Sequence, residues 1–156
     1  MSIEMGLEGF SELERELDQL SKAAGKGVLR RSLKRSAEPM ADLMRRYAPR
    51  GRSAQDLLAA SIVVSAKLSK RQASQHRRMF RDDRASVEMF VGPGPDPAAW
   101  NQEFGNVLHG PQPFVRPAWD QDHRAMLDRL GADLWVELEK SIKRAERKAA
   151  RLAAKG

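Results

Sequence analysis

The sequence predicts an α+β fold: a small antiparallel β-sheet with a long basic hairpin loop, packed against N-terminal, central and long C-terminal helices. Three observations predict it. Apolar residues recur at helical spacing in three separate stretches, ending with a long one after Pro117. Two β-branched runs, Ser61–Leu68 and Ser86–Gly92, lie between the second and third of these. The chain has 156 residues and no cysteine, a one-domain length that buries a core without disulfides.

The elements follow in order. Ile3 and Met5 alternate in a short stretch, Ser2–Met5, that reads as a strand before Gly6. Phe10–Leu20 reads as a helix, with Phe10, Leu13, Leu17 and Leu20 on one face and Ser11 and Glu14 placed as a capping box. Ala23–Gly27 is a small-residue break. A second helix spans Val28–Tyr47, its apolar face Leu29, Leu33, Ala37, Met40 and Met44. Pro39 removes a backbone donor there and is expected to kink or split it. Pro49 and Gly51 end it, and Asp56–Ala60 reads as a helical turn.

Ser61–Leu68 and Ser86–Gly92 then pair as a hairpin, with Val87, Met89 and Val91 on one face. Their connection, Ser69–Ala85, is too long and too polar for a tight turn and is expected to be mobile. Gly92–Pro97 is a rigid bend, Ala98–Phe104 a short helix closed by Gly105, and 107–113 a loop. The last helix starts near Pro117, a position where the missing donor costs nothing, and reaches towards Ala154. Ala118, Met126, Leu130, Leu134 and Leu138 face the core, and the apolar stripe thins after Lys140. Residues 1–140 are therefore expected to form one domain, and 141–156 a basic, exposed helical tail.

The formal charge is +7, from 28 Lys and Arg against 21 Asp and Glu, and it is unevenly spread. Bases crowd Arg30–Arg52, Lys67–Arg84 and Lys140–Gly156, and the rest of the chain is acidic. Such clusters suit nucleic-acid phosphates, and they equally suit solvated helix faces beside acidic neighbours in an assembly. Within Lys67–Arg84 the residues that would face DNA or a partner are Lys70, Arg71, Arg77, Arg78 and Arg81. No apolar run approaches the roughly 18 residues of a membrane span. Met1–Phe10 carries two acids and no base, unlike a secretory signal, so the protein is expected to stay in the cell that makes it.

Chemistry-bearing patterns are few. His76, His109 and His123 lack the spacing that places two ligands on one helical face, and Asp120, Asp122 and His123 read more simply as a charged first helical turn than as a metal site. Ser53 lies near Gly51 without a nucleophile elbow. Gly92 and Gly94 are interleaved with prolines and do not form a phosphate-binding loop. No catalytic, cofactor or metal residue is assigned. Trp100, Phe104, Phe114, Trp119 and Trp135 are expected in the core, as are the methionines at 40, 44, 79, 89 and 126, in the core or an interface.

Three stretches taken in order carry a resemblance. The first is a helix ending Ala48-Pro49, then Arg50-Gly51-Arg52, then Leu57 and Ser61-Ile62. The second is Trp100-Asn101-Gln102-Glu103-Phe104-Gly105. The third is Gln112-Pro113-Phe114-Val115-Arg116-Pro117-Ala118. Together they resemble the tail-completion, or head–tail joining, family of lambdoid and related long-tailed phages (siphoviruses), the gp-ten-like minor tail components. The resemblance covers most of residues 1–140, and its most specific part is the order and spacing of the last two motifs. Arg50 stands where the family has Thr, Asn106 replaces another Thr, the Leu of the turn is displaced to Leu57, and Ser69–Ala85 is longer than the pattern needs.

The resemblance implies a non-enzymatic virion protein of the neck or upper tail, assembled in the bacterial host cytoplasm as a homo-oligomeric ring, six-fold or twelve-fold. It would complete the tail and join it to the DNA-filled head, beside head-closure (stopper), tail-terminator or tail-tube proteins, with possible contact to DNA in the channel, no membrane and no cofactor. Trp100, Glu103, Phe104, Gly105, Phe114, Arg116 and Pro117 are then the candidate structural or subunit-interface motif, with Glu103 and Arg116 as an ion pair. A free basic DNA-binding protein, or a small nuclease or toxin, are the other readings.

Overall fold

The computed structural model describes residues 15, 16, 18, 20, 22–50, 54–81 and 87–155. The short strand Ser2–Met5 and most of the helix Phe10–Leu20 expected from sequence lie outside these. The order is α1 (Lys22–Tyr47), α2 (Ala54–Ser61), β1 (Val63–Ser65), α3 (Lys70–Met79), β2 (Phe90–Gly92), α4 (Pro97–Phe104) and α5 (Val115–Ala153). It is an α+β chain, mostly helical, with one small antiparallel sheet among the described residues.

The long pair α1 and α5 forms the frame. The two run antiparallel: Val28 packs with Leu134 and Leu138, Arg129 reaches the Ser36 carbonyl, and Tyr47 bonds Gln121. The small-residue break expected at Ala23–Gly27 is instead the start of α1. Glycine inside a helix costs about 1 kcal/mol relative to alanine, and packing of this end against α5 outweighs that. Pro39 does not split α1, which continues through it to Tyr47. In the turn before the proline, the Ser36 carbonyl accepts from Arg129 Nε and Nη2 at 3.2 and 3.0 Å, and Asp122 holds the same guanidinium. The carbonyl that Pro39 leaves without a helical donor is that of Arg35, one residue earlier, so the side chain from α5 braces the turn next to it.

The main core gathers where α1, α2, the sheet, α4 and the start of α5 meet. Met40, Met44, Leu58, Ile62, Phe114 and Ala118 are closed to solvent there, and Val91, Met89 and Met126 pack against them. A second cluster, Val28, Leu134 and Leu138 with Leu130, Trp135 and Ile142, fastens the far end of the α1–α5 pair. Burial on α5 stops near Ser141, and Lys143 to Lys155 are all exposed.

The strands are shorter than the β-branched runs suggest. Val63, Val64 and Ser65 face Gly92, Val91 and Phe90. Ser61 belongs to α2, where its hydroxyl donates to the Leu58 carbonyl at 2.7 Å and accepts from Gly94 N at 3.3 Å. Arg45 of α1 donates from Nε and Nη2 to the Ile62 carbonyl at 3.1 and 2.8 Å, so the sheet is tied to the frame where it begins.

The hairpin connection is long and basic, as expected, but ten of its residues are helical. Ser69 and Gln72 form a reciprocal capping box that starts α3: Gln72 N donates to Ser69 Oγ and Ser69 N to Gln72 Oε1. His76 then packs its ring edge-on to Phe90 of β2, centroids 5.2 Å apart, with Phe80 on another side.

Candidate functional site

The site is built at the corner between α4 and α5. Pro97 opens α4 behind Asp96, whose carboxylate accepts from Ala98 N at 2.8 Å. Eight residues of helix bury Ala99 and Glu103. Trp100 and Phe104, one position further round, therefore face outward. They are 68% and 48% exposed, which corrects their expected place in the core. Trp119 is also half-exposed and stacks on His123, whereas Phe114 is buried as expected. Met79 is exposed as well, while Met40 and Met44 are core.

Glu103 organises the corner. Phe114 stands at the N-cap of α5 and supplies no side-chain cap, so the first amides of α5 need an acceptor from elsewhere. Glu103 Oε2 accepts from Phe114 N at 2.7 Å and Val115 N at 2.9 Å, and Oε1 from Arg116 N at 3.0 Å. Arg116 Nε adds a charge-assisted bond to Oε1 at 2.8 Å, and its Nη2 donates to the Glu103 carbonyl at 2.7 Å. A negative group at a helix N-terminus also meets the positive end of the helix dipole. Burial alone would raise the Glu103 pKa, but these amides and the guanidinium outweigh it and hold the carboxyl below its usual value.

The same guanidinium lies over the Phe104 ring, 4.8 Å from its centroid, and Phe104 packs on Trp100 at 4.4 Å. Glu103, Arg116, Phe104 and Trp100 thus form one connected stack running from the interior to solvent. Gly105 ends α4 with φ 78° and ψ 172°, a region essentially reserved for glycine. A Cβ there would come within 2.9 Å of Pro111 N. Beyond it, Asn106 Oδ1 accepts from Leu108 N and His109 N at 2.8 and 3.0 Å, which closes a turn. Val107 and Leu108 project from its tip almost fully exposed.

Across a groove of about 520 Å³ from this stack stands α3, contributing Arg71, Gln72 and Gln75 to the opposite wall. Lys70, Arg71, Arg77 and Arg78 fall on one side of α3, within roughly a third of the helical circumference at about 100° per residue, and all are exposed, as is Arg81 beyond it. The groove wall therefore takes in Trp100, Glu103, Phe104, Arg116 and Arg71, with Phe114 bonded to Glu103 and Gly105 next to Phe104 behind it, and leaves Lys70, Arg77, Arg78 and Arg81 outside. Pro117 sits in the first turn of α5, half-buried.

Two polar centres escaped sequence reading. Glu137 on α5 binds Arg31 at 2.8 Å, Lys140 at 3.3 Å and Arg35 at 3.4 Å while itself almost wholly buried. Its pKa is lowered to about 2, first by the Arg31 hydrogen bond. Asp122, weighed as a metal ligand, is committed to Arg129. Arg31 and Arg35 are about a hundred residues from Glu137, and Asp122 is two helical turns from Arg129; only the Glu137–Lys140 pair, at i, i+3, had a local sequence signal.

No curated protein and no solved structure matches this chain. A family model does, over residues 11–105; its description is "Bacteriophage HK97-gp10, putative tail-component". The match takes in α1 to α4, including the Trp100–Gly105 motif, and stops short of the Gln112–Ala118 stretch. Covering more than half of the chain, it shows that the protein belongs to the HK97-gp10-like family of phage tail components.

Proposed function

We propose that the protein is a structural, non-enzymatic subunit of the phage neck or upper tail, forming a ring that completes the tail and joins it to the DNA-filled head. Family membership supplies the tail context. The observation that carries the assembly reading is the uncovered apolar surface of Trp100, Phe104, Val107 and Leu108. Contiguous exposed apolar surface of this kind marks a protein interface. A ring of identical subunits needs two different, complementary faces on each copy. Here the apolar corner supplies one such face, and the basic side of α3 is left for an acidic neighbouring ring or for DNA. Adjacent partners in this reading are head-closure, tail-terminator or tail-tube proteins, and the site of action is the virion after assembly in the host cytoplasm.

The test is a deletion in the phage, with full heads, tails and joined virions counted by electron microscopy beside infectious titre. Heads should fill and tail tubes polymerise, while joined particles and titre fall. Normal joining and titre would sink the reading. A Trp100→Ser, Leu108→Ser double variant should fold yet lose self-association by analytical ultracentrifugation. The exposed bases of α3 favour a second reading, a free DNA-binding protein; normal virions together with tight, salt-sensitive duplex binding would favour it.

A further inference from the structure

We infer that the exposed end of α5 is a duplex-DNA backbone contact. From Lys143 to Lys155 every residue is exposed, and the helix continues to Ala153. At about 100° per residue, Lys143, Arg144, Arg147, Lys148 and Arg151 fall within some 140° of one another, on one side, and Lys155 follows just past the helix end at Ala153. Glu146, the one acid of this stretch, lies on the other side. None of the six cations has an ion-pair partner among the described residues, unlike Lys140, which is bound to Glu137. The stripe is therefore a built feature of the helix and not an even sprinkling of charge.

Charge density selects the partner. The six cations lie within the thirteen residues 143–155, a rise of about 18 Å at about 1.5 Å per residue, or one charge every ~3 Å. Duplex DNA carries one phosphate per about 3.4 Å of helix axis on each strand. A folded acidic protein surface rarely presents carboxylates in so dense a row. A lipid surface is a poorer fit, because the opposite side of this segment is Ala145, Ala149 and Ala153 with a single large apolar residue, Leu152. Interfacial helices need a broad apolar face to bury. The inference does not rest on the head–tail reading, and it places the DNA contact on α5 where the proposed function leaves the α3 bases open to either partner.

The experiment uses the full chain and a fluorescent 30-base-pair duplex, with anisotropy followed across a salt series. Each phosphate neutralised contributes about 0.9 to the slope of log K against log salt. Replacing the six residues by Gln should make that slope shallower by about 4–5, with the circular dichroism melt otherwise preserved. Replacing Lys70, Arg71, Arg77, Arg78 and Arg81 by Gln should leave most of the slope in place. A third variant keeps the composition but moves three bases off the stripe: Arg144→Ala with Ala145→Arg, Lys148→Ala with Ala149→Lys, and Arg151→Leu with Leu152→Arg. Its slope should fall by about 3. An unchanged slope in the six-site variant, an unchanged slope in the rearranged one, or tighter binding to poly-glutamate or anionic vesicles than to duplex would each overturn the inference. A chain that binds no DNA while its deletion still blocks head–tail joining would overturn it and leave the proposed function standing.

Discussion

Removing the Glu103 carboxylate should be among the most damaging single changes outside the apolar core. In Glu103→Ala, the amides of Phe114, Val115 and Arg116 lose the acceptor they now reach at 2.7, 2.9 and 3.0 Å. A lost helix cap costs roughly 0.5–2 kcal/mol, and a hydrogen bond to a charged group contributes roughly 1.5–3 kcal/mol. Water offsets part of this at Arg116, whose side chain is 55% exposed. It cannot do so at Phe114, which is closed to solvent. The sum points to a loss of about 3 kcal/mol for Ala and about 1.5 kcal/mol for Gln, which keeps one acceptor oxygen. Against a total stability of about 5–15 kcal/mol for a domain, either is measurable by urea unfolding at pH 7.

The pH dependence separates a charged cap from simple packing. A carboxyl held below its usual value in the folded state contributes stability that is complete above the unfolded value, near about 4.3 for Glu. That contribution drains as pH falls through the folded value. Glu103→Gln takes up no proton there, so the gap between wild type and this variant should narrow on acidification from pH 5 to pH 3. A Glu103→Ala midpoint within experimental error of wild type would refute the capping argument. So would a gap to Glu103→Gln that does not change in acid.

Phe114→Ala should cost about 3–5 kcal/mol, the range for truncating a buried aromatic; an unchanged urea midpoint would exclude its core role. Gly105→Ala should destabilise by about 1–3 kcal/mol from backbone strain, whereas Gly110→Ala, where a Cβ meets nothing within 4 Å, should be near neutral. Glu137→Gln should remove stability at neutral pH and flatten the acid limb between the unfolded value and about 2, because its lowered pKa places the loss in that window; its cationic partners are about half-exposed, so solvent screening holds the effect below what the shift alone implies. Amide exchange in α3 should be slower at Ala73 and Phe80, which donate to the Ser69 and His76 carbonyls, than in an irregular loop of the same composition; uniform fast exchange would argue against the helix.

Much of the frame was legible because its signals are periodic. Leu130, Leu134 and Leu138 repeat on one side of α5, and Met40 and Met44 on one side of α1, so burial followed from spacing. The start of α1 was not legible, since Gly25 and Gly27 argue locally against helix and only α5, more than a hundred residues away, reverses the balance. Basic composition hid α3: with no buried residue it shows no apolar stripe, and its one local clue was the Ser69–Gln72 pair. At the site, the Glu103–Arg116 pairing could be anticipated from motif order. The outward facing of Trp100 and Phe104 could not. Their i, i+4 spacing says that they share a side of α4, and only the burial of Ala99 and Glu103 says which side meets the protein.

That arrangement ties fold to surface through one residue. Arg116 closes the cap of α5 through Glu103 and lies over Phe104, which in turn braces Trp100. An exposed aromatic on an eight-residue helix would otherwise sample several rotamers, and each side chain immobilised on binding costs roughly 0.5–1.5 kcal/mol. Here much of that ordering is done during folding, by bonds the helix start already requires. The turn made by Asn106 fixes the backbone that carries Val107 and Leu108 at a loop tip. A protein that only needed to fold would gain nothing from presenting four large apolar groups in set positions to water. In the ring proposed above, many copies would dock in a single register and gain from each of them, and the surface most sensitive to assembly should then be the one least needed for stability.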